Sequence, residues 1–438
     1  MTGEVASEAS GEVTEVRPAP QGSSATGGMA TRVAGWLRPA WVEVDLGAVS
    51  ANASYLRRLV APGEVCAIVK ADGYGHGAVP VAKAALAGGA TWLGVALAEE
   101  GHELREAGLG APVLVLSEPP SEAMALVAED ALAASIYTHE GLSALATASK
   151  SLPAGASAAV HVKVDTGMHR VGASPEVAIE LARAAAAEPH LRLEGLFTHL
   201  AVADEPGDGF TALQLERFRA VERALASEGI VASLVHAANS AGALFHPQSR
   251  RDMVRPGIAL YGLAPSAETR DEPSVQPLRP ALSLKARVSY CKALPAGEGL
   301  SYGLRYRLAS PSDIATVPLG YADGVPRRLS VTGAEVLIGG RRRPIVGSVT
   351  MDQLLVDCGP ASGVRAGDEV VLLGHQGDEA VSAWEWAERL GTIAYEVTCA
   401  LSPRLPRVYV SSPTTKSIQE VNASTSEGSI AGNIAIRS

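Results

Sequence analysis

The sequence has few cysteines, few aromatic residues and no long apolar run. Four of its 438 residues are cysteines, and no two of them form a C-x-x-C pair, which argues against a disulfide framework or a zinc site. No segment reaches the roughly 18 uninterrupted apolar residues of a membrane span. We therefore expect a cytoplasmic protein without a bound metal or a membrane partner, whose cysteines are reduced thiols: Cys66, Cys291, Cys358 and Cys399.

The net charge and the length of the chain further limit the classes of protein to which it can belong. The formal net charge is −10, which argues against nucleic acid and anionic membranes as partners. Nearly half of the residues are apolar but only 4% are aromatic, so the core must be built largely from aliphatic side chains. A chain of this length can form a barrel and a second domain.

Both ends of the chain read as tails. Residues 1–38 are rich in Gly, Ala, Ser, Thr and Pro, without the basic start and apolar stretch of a secretory signal. Residues 412–438 are rich in Ser and Thr. Low apolar content of this kind predicts disorder in both segments.

Between residues 41 and 262, short β-branched runs alternate with longer stretches of helical period. This alternation predicts an α/β fold with an N-terminal (β/α)₈ TIM-type barrel over 39–265. Nine runs compete for eight places, and the first is the one we expect to lie elsewhere. The runs are 41–45, 65–70, 92–97, 112–117, 133–137, 160–165, 193–199, 233–237 and 253–261.

The sequence pattern changes after residue 265. Short strand-like runs separated by Gly, Pro and Asp turns, with one clear helix near 382–390, predict a mostly antiparallel β domain over 266–411.

Lys70 closes the apolar run 65–70 and is followed by a glycine-rich segment containing Tyr74 and His76. Lysine is the amine that forms Schiff bases with carbonyl cofactors, and a desolvated strand end can hold it uncharged. The alternative is a surface lysine that caps a strand.

Other polar side chains also fall at the carboxyl ends of the predicted barrel strands. These ends converge at one mouth of a barrel, where active sites lie. Ser240 opens a helix-like run, and Gly257 and Ile258 offer further main-chain donors, so an anion such as a phosphate could bind there. The residues concerned are Lys70, Lys163, Asp165, His199, Asn239, Ser240 and Arg255.

The chain resembles the bacterial alanine racemases, which are pyridoxal 5'-phosphate enzymes of fold-type III. Nine motifs in order across about 41–410 carry this resemblance: VKADGYGHG (69–77), KVDTGMHRVG (163–172), FTHLA (197–201), HAANSAG (236–242), VRPGIALYG (254–262), GEGLSYG (297–303), GYADG (320–324), GSVTMDQ (347–353) and TIAYEV (392–397). It implies a barrel and a β domain, with the first strand joined to the latter.

The resemblance also implies an activity, the interconversion of L-alanine and D-alanine. The product D-alanine would supply peptidoglycan synthesis in a bacterial cytoplasm. Lys70 would carry the cofactor and serve as one base, and Tyr302 would serve as the base on the opposite face. Because an unperturbed tyrosine has a pKa of about 10, it needs help to ionise, and the cations implied are His199 and Arg170.

Further roles follow from the same resemblance. Arg255 would face the pyridine nitrogen, and Arg170 would bind the phenolic oxygen and the substrate carboxylate. Tyr321 would be a gate residue, and Lys163 a carbamylated support for Arg170. The remaining cofactor contacts implied are Tyr74, Asn239, Ser240, Gly257, Ile258 and Tyr395, and the substrate and entrance region is Met351 and Asp352.

The resemblance also implies a head-to-tail homodimer with a shared site, to which the partner subunit would contribute Tyr302 and Met351 of the β domain. Three other readings stay open: a broad-specificity racemase for serine or lysine, a decarboxylase built on the same barrel, and a non-catalytic pyridoxal phosphate carrier. Such decarboxylases place a carboxylate where this chain has Arg255, and the carriers lack a C-terminal domain.

Overall fold

The computed structural model describes residues 37–205 and 207–411. The predicted tails therefore lie outside the described residues, except for Leu37 and Arg38. The guanidinium of Arg38 donates two hydrogen bonds to the carboxylate of Asp323, at 2.9 and 2.8 Å. Among the described helices, none combines the length and the apolar character that a membrane crossing requires.

Strand β1 (Ala40–Asp45) comes first, and a closed barrel of eight parallel strands follows. The barrel strands are short and most of their residues are buried, as expected where helices cover the outer face. This confirms the predicted fold class. They are β2 (Glu64–Ile68), β3 (Trp92–Val95), β4 (Val113–Val115), β5 (Ala133–Ile136), β6 (Ala158–Lys163), β7 (Leu191–Phe197), β8 (Leu234–His236) and β9 (Met253–Val254).

Helices connect the barrel strands, and their sequences explain where they begin and how they pack. In Pro175–Ala187, the Ser174 side chain accepts a hydrogen bond from the Val177 amide, and a proline stands at the first helical position. Apolar residues recur there at helical spacing and are buried against the barrel. The helices are Leu46–Val60, Ala78–Ala87, Ala98–Glu106, Met124–Glu129, His139–Ser149, Pro175–Ala187, Phe210–Ser227 and Ser240–Phe245.

The C-terminal part forms a sheet in the order β11-β14-β17-β16-β15-β18-β10-β1-β20, with β19 on β18, and a separate pair β12–β13. Every described pairing in it is antiparallel except β1 with β20. The strands are β10 (Leu282–Arg287), β11 (Tyr290–Leu294), β12 (Gly299–Leu300), β13 (Tyr306–Arg307), β14 (Ser312–Val317), β15 (Glu335–Ile338), β16 (Arg341–Val346), β17 (Leu354–Asp357), β18 (Glu369–Gln376), β19 (Glu379–Val381) and β20 (Arg407–Val410).

Helices Ala383–Leu390 and Ala394–Cys399 complete this part. The strand-like run at 283–290 of the sequence belongs to two strands in the structure, since the chain leaves β10 at Arg287 and enters β11 at Tyr290. Short 3-10 segments lie at Ser121–Ala123, Pro247–Ser249, Ile258–Tyr261, Tyr302–Leu304, Tyr321–Asp323 and Arg327–Val331.

Strand β1 ties the two parts together. It runs antiparallel to β10 and parallel to β20, and its alternate residues Ala40, Val42 and Val44 are buried. One continuous cluster of buried apolar residues extends from this strand into both the barrel and the sheet. The barrel mouth is therefore held in a fixed position against the sheet.

Candidate active site

A cavity of about 560 Å³ opens at the carboxyl ends of the barrel strands. This volume is in the range of small-molecule and cofactor sites. Phe197 forms part of its wall, together with backbone and apolar side chains of several loops. Eleven of the predicted site residues line it: Lys70, Tyr74, Lys163, Arg170, His199, Asn239, Ser240, Arg255, Gly257, Ile258 and Tyr395.

A left-handed turn after β2 brings Lys70 and Tyr74 to the same cavity. From Ala71 to Tyr74 the φ angles lie between +50° and +59°, a conformation that costs roughly 1–2 kcal/mol for each residue other than glycine. The Glu100 side chain accepts a hydrogen bond from the Ala71 amide at 2.7 Å, and Asp72 accepts one from the first amide of the next helix at 2.9 Å. These two carboxylates stabilise the turn.

Two lysine amines in the cavity are shifted toward their neutral form. Burial lowers the pKa of Lys70, and the neighbouring Arg170 lowers it further. Lys163 is 6% exposed, and its Nζ donates to the Leu116 carbonyl at 3.0 Å. Burial, with a smaller contribution from Arg255, lowers the pKa of Lys163 to about 7. Lys163 can therefore act as a nucleophile or a base close to neutral pH, and the pKa of Lys70 is shifted in the same direction.

Arg255 is the centre of a buried hydrogen-bond network. Its Nη1 donates to His236 Nδ1 at 2.6 Å, and its Nη2 donates to the Thr198 carbonyl at 2.7 Å and to His199 Nδ1 at 3.2 Å. Burial lowers the pKa of Arg255 to about 10, so the guanidinium stays charged near neutral pH. Because arginine has no acceptor, both histidines must accept through Nδ1 and carry their proton on Nε2.

This network continues through residues that the sequence did not single out. His236 Nε2 lies 2.9 Å from His161 Nδ1, and His161 Nε2 lies 3.3 Å from Glu194 Oε2. With the direction set by Arg255, each imidazole donates to the next group and the chain of bonds ends on a carboxylate. The available signal was His161, a polar residue within the apolar run of β6.

The structure does not support the prediction that His199 is a cation. Burial lowers its pKa well below the ordinary value, and the charges of Arg255 and Lys163 lower it further. A neutral imidazole with its proton on Nε2 is a hydrogen-bond donor. His199 can therefore stabilise a nearby oxygen anion by donation but not by a full positive charge.

Hydroxyl groups surround the opposite end of the cavity. Ser240 Oγ accepts hydrogen bonds from the Gly257 amide at 2.9 Å and the Ala259 amide at 3.3 Å. The Gly257 amide is thus engaged by Ser240 and is not free for an anion, whereas the Ser240 O–H can still donate. Burial raises the pKa of Tyr74 and of Tyr395, so both phenols remain protonated donors.

Gly257 leaves room for this group of hydroxyls. A Cβ at Gly257 would lie 2.3 Å from Tyr74 Oη, which is closer than atoms can approach. The rings of Tyr74 and Tyr395 have their centroids 6.1 Å apart. Any larger residue at position 257 would displace the Tyr74 hydroxyl.

Two predicted polar residues have a structural part in the site. Asn239 is the N-cap of Ser240–Phe245, since its Oδ1 accepts from the Gly242 amide at 2.9 Å. Asp165 does not line the cavity; it accepts from the amides of Gly167 and His169 at 2.9 and 3.1 Å. It thereby shapes the loop that carries the exposed Arg170 to the mouth.

Four predicted residues lie away from this cavity, all in loops of the β domain. Tyr302 is 76% exposed, Met351 53% and Tyr321 44%, and Asp352 is exposed as well. Tyr302 lines a separate shallow pocket together with Ser348 and Thr350.

Comparison with known proteins covers nearly all of the described chain. Residues 44–265 match the family model "Alanine racemase, N-terminal domain", and residues 281–409 match "Alanine racemase, C-terminal domain". A protein of Symbiobacterium thermophilum named alanine racemase is 50% identical over 377 residues, which are 85% of this chain and 97% of that protein. One of Desulfovibrio desulfuricans is 45% identical over 374 residues, 85% of this chain and 98% of its own.

Solved structures agree in fold. The crystal structure of alanine racemase from E. faecalis has a TM-score of 0.80 and 41% sequence identity, and the match covers 86% of this chain and 99% of that one. The alanine racemase from Bacillus anthracis with bound L-Ala-P has a TM-score of 0.79 and 39% identity, and the match covers 89% of this chain and all of that one.

Proposed function

The chain belongs to the alanine racemase family, and from that premise we propose that it interconverts L-alanine and D-alanine with pyridoxal 5'-phosphate bound in the barrel cavity. The observation that carries this proposal is the location of Lys70. Its amine has a lowered pKa and lines the same cavity as a buried, charged Arg255. The D-alanine formed would supply peptidoglycan synthesis in the cytoplasm.

The cavity residues fit this cofactor. Lys70 Nζ would hold its aldehyde carbon covalently, and Arg255 would face its ring nitrogen. The hydroxyls of Ser240, Tyr74 and Tyr395 would donate to its phosphate, and the missing side chain at Gly257 makes room for the Tyr74 hydroxyl. When bound, pyridoxal phosphate supplies an electron-withdrawing group that stabilises negative charge on the substrate Cα.

Racemisation requires a proton-transfer group on each face of the substrate. A single group normally returns the proton to the face from which it was taken. Lys70 Nζ would serve one face, and Tyr302 Oη would serve the other. His199, as a neutral donor, and Arg170, as a cation, would stabilise the tyrosine oxygen when it has lost its proton.

A shared site in a homodimer explains why Tyr302 is exposed and outside the cavity of its own chain. We propose that the partner subunit's Tyr302 completes each cavity in a head-to-tail dimer with two-fold symmetry. Met351, Asp352 and Tyr321 would arrive with it and form the substrate side and the entrance. The exposed Arg170 at the mouth would then bind the alanine carboxylate.

Arg255 is the residue that favours racemisation over transamination or decarboxylation in this proposal. A charged arginine facing the ring nitrogen leaves that nitrogen unprotonated, because the guanidinium keeps its own proton. Weaker electron withdrawal by the ring favours return of the proton to Cα over transamination. A decarboxylase with this barrel would have a carboxylate facing the ring nitrogen. Arg255 at this position therefore argues against a decarboxylase.

Lys163 is proposed to be carbamylated. Its amine is in part neutral at physiological pH because its pKa is about 7, and only a neutral amine adds carbon dioxide. Arg255, Arg170 and Lys70 all depress this pKa as nearby positive charges. A carbamate would turn the buried cation into an anion among these groups and orient Arg170.

The reaction in deuterated water tests the proposal. Optical activity and deuterium at Cα are followed from L-alanine and, separately, from D-alanine. Both reactions should converge on the racemate with deuterium at Cα. Serine and lysine as substrates distinguish a broad-specificity racemase from one that acts on alanine.

Each failure points to a different reading. Deuterium incorporation without inversion would show that Lys70 works while the base on the opposite face is absent, and would contradict the two-base proposal. No exchange with any of the three amino acids, in protein that binds the cofactor, would favour a carrier.

A further inference from the structure

Asp323 has a fully buried carboxylate and lies in the same short 3-10 segment as Tyr321. Its Oδ2 accepts hydrogen bonds from the Gly320 amide at 3.0 Å and from the Arg38 guanidinium at 2.9 Å, and its Oδ1 accepts a second bond from Arg38 at 2.8 Å. The Nε of Arg404 lies 3.6 Å from Oδ1. Two guanidinium groups and one amide therefore offset the cost of burying this charge.

The turn that this carboxylate closes is bonded directly, backbone to backbone, to a second loop of the β domain. The Tyr321 amide donates to the Thr350 carbonyl at 3.0 Å, and the Ala322 amide donates to the Met351 carbonyl at 3.1 Å. Gly320 allows this approach, because a Cβ there would lie 2.2 Å from the Thr350 carbonyl oxygen. The two loops therefore form one hydrogen-bonded unit, which we call the entrance unit.

Both guanidinium groups are anchored outside the entrance unit. Arg38 precedes β1 and Arg404 precedes β20, and these two strands are neighbours in the sheet. Arg404 also donates to the Asp352 carboxylate at 2.7 Å, and Arg38 donates to the Arg404 carbonyl at 3.3 Å. The Asp323 carboxylate thus ties the entrance unit to the strand pair that joins the barrel to the sheet.

We propose that Asp323 is a positioning residue: its carboxylate fixes the entrance unit against Arg38 and Arg404, and it thereby sets how tightly the substrate binds. This inference rests on the proposed function, in which Tyr321 and Met351 form the entrance and the substrate side of a shared site. Asp323 itself, being fully buried, acts only through the loops that it holds.

Tyr302 has an anchor of its own. The Ser301 hydroxyl donates to the Ser348 carbonyl at 2.8 Å, and the Ser348 hydroxyl donates to the Tyr302 carbonyl at 3.3 Å. Neither bond involves Asp323 or the two arginines. Release of the entrance unit should therefore leave both proposed proton-transfer groups in place, so KM for the substrate should rise much more than kcat falls.

Arg38→Gln in the holoenzyme tests this split, because it removes the paired hydrogen bonds to the carboxylate and changes no residue of the entrance unit. We expect KM for alanine to rise about 10-fold, within the range of coupling between residues of one hydrogen-bond network, and kcat to change less than about 3-fold. Arg365→Gln is the matched control, since this arginine of the same domain has a side chain that is 86% exposed; its KM should be that of the wild type. A lower kcat with an unchanged KM would overturn the proposal.

Hydrogen exchange followed by mass spectrometry tests the entrance unit without a measurement of activity. In Arg38→Gln, peptides that cover 319–324 and 349–354 should both exchange faster than in the wild type, because their amides belong to one unit. Faster exchange in only one of these peptides, or in neither, would overturn the proposal. A wild-type protein without racemase activity would contradict the proposed function, whereas the exchange data would still decide whether Asp323 holds the two loops together.

Asp323→Asn keeps an acceptor for the Gly320 amide and removes the charge, so it should reproduce both effects. In the double variant with Arg38→Gln, KM should not exceed that of Asp323→Asn alone, because both substitutions remove the same pair. Increases in KM that multiply would overturn the assignment of Arg38 to this carboxylate. If Asp323→Asn does not fold, the kinetics and the exchange of Arg38→Gln still decide the proposal.

Discussion

The two halves of the proposed site are built in opposite ways. In the barrel half, Lys163 and Arg255 are buried and held by hydrogen bonds to backbone carbonyls or to other side chains. In the sheet half, Tyr302 and Met351 are exposed loop residues with more than half of their surface open. The barrel half is thus organised within one chain, whereas in the proposed dimer the sheet half would acquire its surroundings from a second chain.

This difference indicates which part of the site would provide cofactor binding and which part would provide the second proton-transfer group. Every residue proposed to hold the cofactor lines the cavity of a single chain, with Tyr395 coming from the C-terminal part, so we expect cofactor binding to need only one folded chain. Under the proposed two-base mechanism, racemisation would need the partner as well, because Tyr302 is outside its own cavity. Substitutions in the two halves should therefore fail in different ways.

The largest effect is expected from Lys70→Ala. Loss of the amine removes both the covalent attachment of the cofactor and one proton-transfer group, so racemisation should fall by about 10⁴-fold or more in both directions. Racemisation rates and borohydride-reducible absorbance are measured together. Lys83→Ala, which removes an exposed lysine, is the matched control, and a reducible chromophore in Lys70→Ala would contradict the role of Lys70.

Tyr302→Phe should break only the sheet half. The variant keeps the ring and loses the O–H, so cofactor binding should be unchanged while racemisation falls by roughly 10²–10⁴-fold. Exchange of the Cα proton with solvent should fall far more for one enantiomer than for the other, because Lys70 still serves its own face. An equal loss for both enantiomers would mean that Tyr302 is not the base of one face.

Mixing the two inactive variants sharpens the comparison. In a heterodimer of Lys70→Ala and Tyr302→Phe chains, one site receives Lys70 from one chain and Tyr302 from the other. Random assortment makes half of the dimers mixed with one intact site each, so refolded mixtures should regain about a quarter of the wild-type activity. If each site were formed within one chain, the mixture would stay inactive, and this result would refute the shared site.

The sequence predicted the residues at the barrel mouth better than the buried residues that support them. Strand ends could be read from apolar runs, and the barrel then brings Lys70, His199 and Arg255 to one mouth without further information. His161 and Glu194 were missed because their roles depend on which β6, β7 and β8 side chains meet inside the barrel. Neither apolar periodicity nor strand order gives that pairing.

The sequence also did not predict the local backbone conformation after Lys70. The segment after Lys70 is rich in glycine, yet the non-glycine residues Ala71, Asp72 and Tyr74 share its left-handed conformation. Non-glycine residues disfavour that conformation, so propensity argues against it. Tertiary hydrogen bonds from residues such as Glu100 impose it, and these appear only once the barrel is closed.

The smallest predicted effect concerns the stability of the barrel at acidic pH. It tests the difference between the barrel and the sheet without a measurement of catalysis. Burial lowers the pKa of His76 to about 4, and those of His161 and His236 also fall, whereas an unfolded histidine titrates near 6.5. Below pH 6.5 the unfolded chain binds protons that the folded chain excludes, so the free energy of unfolding falls as pH falls toward 4. Each such histidine contributes up to about 1.4 kcal/mol per pH unit.

His76→Phe should therefore reduce this pH dependence by about one proton. Val331→Phe, at an exposed position without a titratable group, is the control that should leave it unchanged. Urea unfolding at fixed protein and cofactor concentration, between pH 4 and 7, measures the slope. An unchanged slope in His76→Phe would mean that His76 takes up its proton in the folded protein as readily as in the unfolded chain, and that the barrel differs from the sheet in its geometry but not in how it holds its histidines.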